Sequence, residues 1–400
     1  MKKKQFDNSI PKPGDSYGDF YIHDVRTDES EKGLFEGLSQ QEKEKRMFYR
    51  PFCDKEEIDR IMDVKNAKDY LLKLRADTII DHMRLYRVYL RKYRSTKNWN
   101  FEESFEKKHF DIALNSLSKE NREKCKSITM GNIFSTEPNG CICTTDYGPI
   151  ITIDDSLSYF LEFTNLALMP FSTKEVPLDI RFNALIIAIR IMMKKEALDF
   201  ELDPRGIIPY KIKTEVRSFI LSQLRFVAGH EFAHHLLGHV SSAKIKEKEI
   251  MRKFFSSSSN EKTEKFYTYL QKQEFDADEG AINFQRCSEK EQKKLISAAL
   301  LFFAGLAVFE SVEDFFFPPA NEPDHPPAID RFDALVKKYI QDKEEINIFS
   351  QIREFTLFWQ KTMVEHASLY PESFEFYGSI YLAKPNTKWR GRALVDRVDY

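Results

Sequence analysis

The chain has 400 residues, of which 42% are hydrophobic and 31% are charged. The length predicts two or three packed units, and the balance of residues is typical of a soluble globular protein and argues against wholesale disorder and a membrane channel. Because 61 basic residues nearly cancel 63 acidic ones, the net charge of -2 gives no indication of a nucleic-acid partner, and none is expected.

Five cysteines are too few and too scattered for a disulfide-stapled secreted domain, and their odd number leaves one unpaired. They are Cys53, Cys125, Cys141, Cys143 and Cys287. Cys141 and Cys143 have no second thiol pair nearby, so ordinary strand cysteines are favoured over a structural zinc site. The basic start of the chain is not followed by the apolar stretch of a secretory signal, and we therefore expect a cytoplasmic protein.

The first part of the chain is predicted to be helical. From Glu56 to about Tyr93, apolar residues recur at three- and four-residue spacing without an intervening proline. Charged connecting segments then place a boundary near residue 125.

A small β-sheet is predicted between Gly131 and Asp154. Asn139-Gly140 is a hairpin-type turn signal, and the β-branched run Ile150–Ile153 is typical of a strand. Together with the helices on either side, this segment predicts an α+β fold that is mainly helical.

Three further helices are predicted at Asp179–Ala197, Lys213–Val240 and about Glu261–Phe284. Between the last two, Ser256–Ser259 is interpreted as a mobile loop. The most apolar stretch, Leu295–Phe309, is shorter than the roughly 20 residues of a membrane span and meets acidic residues, which favours a buried core helix. The phenylalanines at 315–317 leave peripheral membrane association as the alternative.

The central motif is His230-Glu231-Phe232-Ala233-His234, an H-E-x-x-H sequence inside a predicted helix. Residues four apart differ by about 40° around a helix, so the two imidazoles can reach one metal ion. Glu231 projects beside them, where a carboxylate can act as general base towards zinc-activated water. An ordinary amphipathic helix with histidines is the alternative for the isolated motif.

A zinc site of this type needs a third protein ligand, and helical geometry sorts the candidates. His239 lies nine residues after His230, about 180° around the helix, and His235 is rotated about 100° from His234. Both are therefore interpreted as residues that face solvent, support a ligand or pack against the protein. Glu274 in the following predicted helix is the better third ligand, with Asp278 one turn later placed to accept a hydrogen bond from a ligating histidine.

The segments HEFAHHLLGH at 230–239 and EFDAD at 274–278 resemble the gluzincin peptidases, especially the family of the CAAX prenyl endoprotease and the bacterial heat-shock zinc proteases. His325-Pro326-Pro327 and Arg331 resemble the H-P-P…R segment of that family. The resemblance implies one zinc ion per chain, a protein or peptide substrate and a zincin-like domain at 126–340. That domain would lie between an N-terminal helical region at 1–125 and a C-terminal helical segment and tail at 341–400.

The resemblance also implies individual roles. His325 would help to stabilise the oxyanion, with Arg331 supporting the site, although a loop histidine held by its prolines is an equal alternative for His325. Residues 132–134 and 150–153 are similar to the edge strand that pairs with an extended substrate in the family. The membrane-spanning helices of that family have no counterpart here, and a looser likeness exists to soluble bacterial zincins of stress regulation or phage exclusion.

The sequence therefore predicts a zinc-dependent endopeptidase that cuts an intracellular protein. Two rival classes remain: a catalytically silent zincin-fold protein that binds a partner, in stress or phage defence for example, and a structural protein without metal. An intact Glu231 argues against the silent protein, and zinc analysis would test the metal-free one.

Overall fold

The computed structural model describes residues 36–134, 139–239, 271–318 and 325–391, together with the backbone of four short strands. Two of these strands, Ser16–Tyr17 (β1) and Phe20–Tyr21 (β2), form an antiparallel pair. The predicted loop at 256–259 lies outside the described residues.

The N-terminal part of the described chain is helical, as predicted. It contains α1 (Gln40–Tyr49), α2 (Lys55–Met62), α3 (Ala67–Asp81) and α4 (Met83–Ser95). The periodic run divides into separate helices because Asn66 caps α3 through the N–H groups of Lys68 and Asp69, and because His82 has extended backbone. These helices surround a buried aromatic cluster that includes Phe52, Tyr89, Phe101, Phe105 and Phe134.

Two short helices, α5 (Lys108–Ser116) and α6 (Lys119–Cys125), lead into the predicted sheet. Its strands are β3 (Thr129–Ile133), β4 (Gly140–Thr145) and β5 (Gly148–Asp154). β3 pairs parallel with β5, and β4 pairs antiparallel with it. The hairpin turn lies at Asp146-Tyr147, whereas Asn139-Gly140 lies at the start of β4, so the sequence signal indicated the wrong turn.

The sheet continues beyond β4 in the order β3-β5-β4-β7-β6, where β6 is Lys244–Glu247 and β7 is Lys265–Thr268. β7 pairs with β4 only at Thr144 and Lys265. The N–H of Ile142, in the middle of β4, instead donates to the side chain of Glu231 on a later helix.

The main core consists of helices α7 (Asp155–Leu168), α8 (Leu178–Met192), α9 (Tyr210–Leu236), α10 (Gln271–Asn283) and α11 (Glu289–Phe316). The predicted helix at 261–284 was wrong in its first part, because Lys265–Thr268 is a strand and the helix begins only at Gln271. The α+β, mainly helical class is confirmed.

Helix α11 contains the apolar stretch predicted to form a core helix. It is long and apolar enough to cross a membrane, but 78% of its most apolar window is buried inside the protein. Phe315 and Phe317 at its end are exposed, and peripheral membrane association stays a prediction.

The C-terminal part contains α12 (Ala328–Tyr339), α13 (Lys343–Leu369) and the short α14 (Glu372–Glu375). The following residues, up to 391, pack on the loop that joins α8 to α9. Ala197 donates its N–H to the Gly378 carbonyl at 2.8 Å, and Ile207 donates to the Trp389 carbonyl at 2.7 Å. The start of α9 is thereby held by the end of the described chain. The predicted domain boundaries stay a prediction, although α5 already packs on α9.

A buried charge cluster stabilises this loop, and we call it the Glu196 cluster; its members are Arg190, Glu196, Asp199, Asp203 and Arg205. Glu196 accepts hydrogen bonds from Arg190 Nε and Arg205 Nε, both at 2.7 Å. Arg205 also pairs with Asp199 at 2.6 Å and with Asp203 at 3.2 Å. Each carboxylate in the cluster therefore has a guanidinium partner.

Candidate metal centre

The site lies between α9 and α10, which approach closely because each has a glycine at the contact. A Cβ on Gly229 would lie 2.4 Å from Gln285 Nε2, and a Cβ on Gly280 would lie 2.7 Å from Ala233 Cβ. A larger residue at 280 would clash with α9, and one at 229 would have to displace the Gln285 side chain and would press on the Ala281 carbonyl, 3.2 Å away. This contact sets the distance between the histidines of α9 and the acidic residues of α10.

A pair of buried amides fixes the depth of α9 in the core. Asn165 on α7 donates to Gln223 Oε1 at 2.7 Å, and Gln223 donates back to Asn165 Oδ1 at 3.0 Å. Both side chains are buried. Such a reciprocal pair resists sliding of α9 along α7, because any shift would leave two buried amides without partners.

His230, His234 and Glu274 come together as the sequence predicts. His230 Nε2 lies 3.0 Å from His234 Nε2, and each of these nitrogens lies 3.5 Å from one oxygen of Glu274. All three side chains are buried. Ligands at 2.0–2.1 Å from a tetrahedral zinc ion lie about 3.3 Å apart, so these separations suit such an ion.

The hydrogen bonding of Glu274 supports the same conclusion. Neither of its carboxylate oxygens has a hydrogen bond of good geometry, although the side chain is completely buried. A buried carboxylate in that state is costly unless a cation compensates it. Among the described residues, His230, His234 and Glu274 form the group of metal-ligating side chains that could hold an ion.

Asp278 lies behind His230 on the side away from the other donors. Its Oδ1 is 2.9 Å from His230 Nδ1, and Arg331 grips the same carboxylate with Nε at 2.8 Å and Nη2 at 2.6 Å. A hydrogen bond from Nδ1 leaves the lone pair of His230 on Nε2, which faces the other donors. Asp278 and Arg331 thus orient one of the two histidines.

The pKa values of the three donors are shifted in different directions by burial and by one another. Burial alone would lower the pKa of His230, but the carboxylates of Asp278 and Glu274 raise it to about 10. Burial and the neighbouring His230 lower the pKa of His234 to about 3. Burial would raise the pKa of Glu274, but His230, His234 and His325 hold it far below its usual range.

Glu231 is buried beside β4. A Cβ on Gly140 would lie 3.3 Å from Glu231 Oε1, and the backbone N–H of Ile142 donates to the Glu231 carboxylate. Burial raises the pKa of Glu231 to about 7. The predicted general base therefore lies between the metal-ligating group and a strand edge, a neighbour that sequence reasoning did not identify.

The H-P-P segment brings His325 next to the third ligand. His325 Nδ1 lies 3.1 Å from Glu274 Oε2, and its side chain is 52% exposed. Pro327 precedes α12, whose first N–H, on Ala328, donates to Glu310 Oε2 at 2.9 Å. A ring that is anchored at one side and open to solvent at the other can contact a bound substrate.

The two histidines set aside by helical geometry lie in different environments. His235 points away from the site, with Nε2 3.3 Å from the Lys124 carbonyl. His239 does not point away, because α9 ends at Leu236 and the chain turns back at Gly238, whose φ is +74°. Its Nδ1 lies 3.0 Å from His234 Nδ1, and its ring is buried. The glycine after the helix was the signal for this turn.

Neither Cys141 nor Cys143 belongs to the group that could hold an ion in the described chain. Cys141 Sγ lies 3.3 Å from Thr152 Oγ1 on the neighbouring strand. This is the environment of a strand cysteine.

Residues 208–352 match the model of a peptidase family, described as Peptidase U49. The matched segment contains all the residues placed in the metal centre above, from His230 to Arg331. This match supports proteolytic activity. It does not specify a metal, nor does it confirm a relationship to gluzincins or CAAX proteases. Neither the curated proteins nor the solved structures gave a match to the chain.

Proposed function

We propose that this chain is a zinc-dependent endopeptidase that hydrolyses a peptide bond of an intracellular protein. His230, His234 and Glu274 would hold the single zinc ion. The observation that carries the proposal is the arrangement of these three donors, with separations of 3.0, 3.5 and 3.5 Å, beside a buried Glu231. When bound there, zinc would supply Lewis acidity that activates water and polarises a peptide carbonyl.

Glu231 fits the role of general base and acid. It follows His230 directly, so it lies beside the ligands on α9 without belonging to the group of three donors. In this role it takes a proton from the attacking water and returns it to the leaving amine. Its hydrogen bond from the Ile142 N–H holds the carboxylate at the strand edge, where the scissile bond would lie.

Strand β4 is the proposed platform for the substrate, because its residue Ile142 lies beside Glu231. An extended peptide that lies along β4 would pass beside Glu231. In this proposal His325, whose ring lies 3.1 Å from Glu274 Oε2 and is 52% exposed, would donate a hydrogen bond to the oxyanion. Arg331 contributes indirectly, because it holds Asp278 and lies 3.4 Å from Glu274 Oε2.

A cytoplasmic location is part of the proposal. All five cysteines are free thiols, which suits a reducing compartment. The compartment also limits the substrate class to proteins that the chain meets inside the cell.

The test compares the native chain with Glu231→Gln, using Glu215→Gln on the exposed face of the same helix as the control. Each protein is purified without added metal, its zinc content is measured, and new protein N-termini are mapped proteome-wide after expression. We expect about one zinc per chain in all three, and a discrete set of new termini that Glu231→Gln alone fails to produce. Zinc binding without cleavage by the native chain would instead support the silent regulatory protein, and absence of zinc would refute the metal site.

A further inference from the structure

The two histidines on α9 are supported by different kinds of groups. Behind His230 lies a carboxylate, Asp278, which is itself gripped by Arg331. Behind His234 lies another imidazole, that of His239, with 3.0 Å between the two Nδ1 atoms. His239 belongs to neither the H-E-x-x-H motif nor the E-F-D-A-D segment, so its contact with His234 needs a separate explanation.

The end of α9 is built to create this contact. Leu237 donates its N–H to the Ala233 carbonyl at 2.9 Å, and Gly238 donates to the His235 carbonyl at 3.2 Å. The φ of +74° at Gly238 is a left-handed conformation that glycine adopts without strain. Through this turn the next residue folds back against the helix, and His239 ends 8% exposed beside the ring of His234.

Proton placement follows from the chemistry of the two rings. Two nitrogens 3.0 Å apart form a hydrogen bond only if one carries a proton and the other a lone pair. His234 Nε2 faces His230 Nε2 and Glu274 Oε1, so its lone pair must be on Nε2 if it is to bind a cation. In a neutral His234 ring the proton is then on Nδ1, which makes His239 Nδ1 the acceptor.

We propose that His239 is a positioning residue for the metal centre: its Nδ1 accepts the Nδ1–H of His234 and so fixes the ring that presents Nε2 to the ion. This inference rests on the proposed zinc site and adds to it. His239 does for one ligand what Asp278 does for the other, but as an uncharged acceptor. It also explains why Gly238 follows the helix, since any residue that straightened the turn would remove the contact.

The first test measures zinc affinity by competition with a chelator, and the visible spectrum of the Co²⁺-loaded chain. His239→Leu removes the acceptor, whereas His239→Asn retains an oxygen close to the place of Nδ1. We expect His239→Leu to lose about 10–100-fold in zinc affinity and to alter the Co²⁺ spectrum, as is typical for loss of a group that orients a ligand. His239→Asn should recover most of both, and His235→Leu on the outer side of α9 should match the native chain.

A folded His239→Leu chain with native zinc affinity and an unchanged Co²⁺ spectrum would overturn the positioning role. Equal losses in His239→Leu and His239→Asn would also overturn it, because an acceptor would then not matter. If the native chain bound no zinc at all, the proposed function would fail as well, which separates that failure from the failure of this inference alone.

The second test needs no variant that must fold. Imidazole ¹⁵N shifts of the histidine-labelled native chain report which nitrogen of each ring is protonated in the zinc-loaded state. We expect His234 to carry its proton on Nδ1 and His239 on Nε2. The opposite tautomer at His239, with Nδ1 protonated, would overturn the proposal directly.

Discussion

The protein contains two buried groups of charged side chains that lie at opposite ends of α9 in sequence: the Glu196 cluster before it and the metal centre near its end. In the Glu196 cluster, each carboxylate is paired with a guanidinium at 2.6–3.2 Å. In the metal centre, three donors face one another, and the oxygens of Glu274 have no well-formed hydrogen bond. The first group pairs its carboxylates with guanidinium groups of the same chain, whereas in the second the imidazole and carboxylate donors converge as they would around a bound ion.

The largest expected effect concerns catalysis. Glu231→Gln keeps the shape of the side chain but removes its ability to take a proton, so cleavage should fall by about 10²–10⁴-fold. Zinc content should not change, because Glu231 is outside the ligand group. Cleavage rates of a substrate identified by mapping new protein N-termini measure this fall directly. Full activity in Glu231→Gln would show that Glu231 is not the general base.

One substitution in each of the two charged groups tests this difference. The free energy of unfolding of each variant is measured by chemical unfolding of the zinc-free chain. Glu196→Gln leaves Arg190 and Arg205 buried without their shared carboxylate, and we expect a loss of about 3–5 kcal/mol in the free energy of unfolding. Glu274→Gln should cost less, because the guanidinium of Arg331 comes no closer than 3.4 Å and neither oxygen of Glu274 has a well-formed hydrogen bond. Glu354→Gln on the exposed face of α13 is the control. A greater loss for Glu274→Gln would contradict the assignment of the two groups.

A buried carboxylate of a third kind gives a pH-dependent prediction. Glu57 accepts the N–H groups of Asp54 and Glu102, and burial raises its pKa to about 7. A folded-state pKa above the usual 4.5 contributes stability that is present at low pH and is lost as pH rises through about 7.

We therefore expect the native chain to lose on the order of 1–2 kcal/mol from this group between pH 5 and pH 7.5. Glu57→Gln should show a shallower decline over the same range when unfolding by urea is followed at several pH values. Parallel curves for the two proteins would mean that Glu57 is ionised in the folded state.

The smallest effect is expected at the rim of the Glu196 cluster. Tyr381 donates its hydroxyl to Asp203 Oδ2 at 2.7 Å. Tyr381→Phe should cost about 1 kcal/mol in the free energy of unfolding. Tyr210→Phe, at a position 86% exposed, should cost nothing measurable. Equal losses in both variants would show that the cluster does not extend to the C-terminal segment.

Sequence reasoning identified the residues whose positions depend on helical periodicity. His230 and His234 are one turn apart, as are Glu274 and Asp278, so each pair could be placed without knowledge of the tertiary structure. The mainly helical α+β class followed in the same way from periodicity and from the β-branched run at 150–153.

Three features were not predicted from the sequence. Their positions depend on the residue at which a helix ends or on contacts between segments that are distant in the chain. His239 was placed on the far side because the helix was extended through Gly238. The strand edge beside Glu231 could not be anticipated, because β4 and α9 are separated by many residues. The members of the Glu196 cluster look like an ordinary charged loop until the residues around Ile380 pack on it.

The contacts between the C-terminal segment and the α8–α9 loop affect the order of events during folding. Two of the contacts that fix this loop join residues 178 and 184 positions apart in the chain. Pairings of such separation form late, since the intervening chain must be ordered first. Zinc uptake during refolding is therefore expected to lag behind the appearance of helical signal, and equal rates for the two would show that the donors assemble before the chain closes.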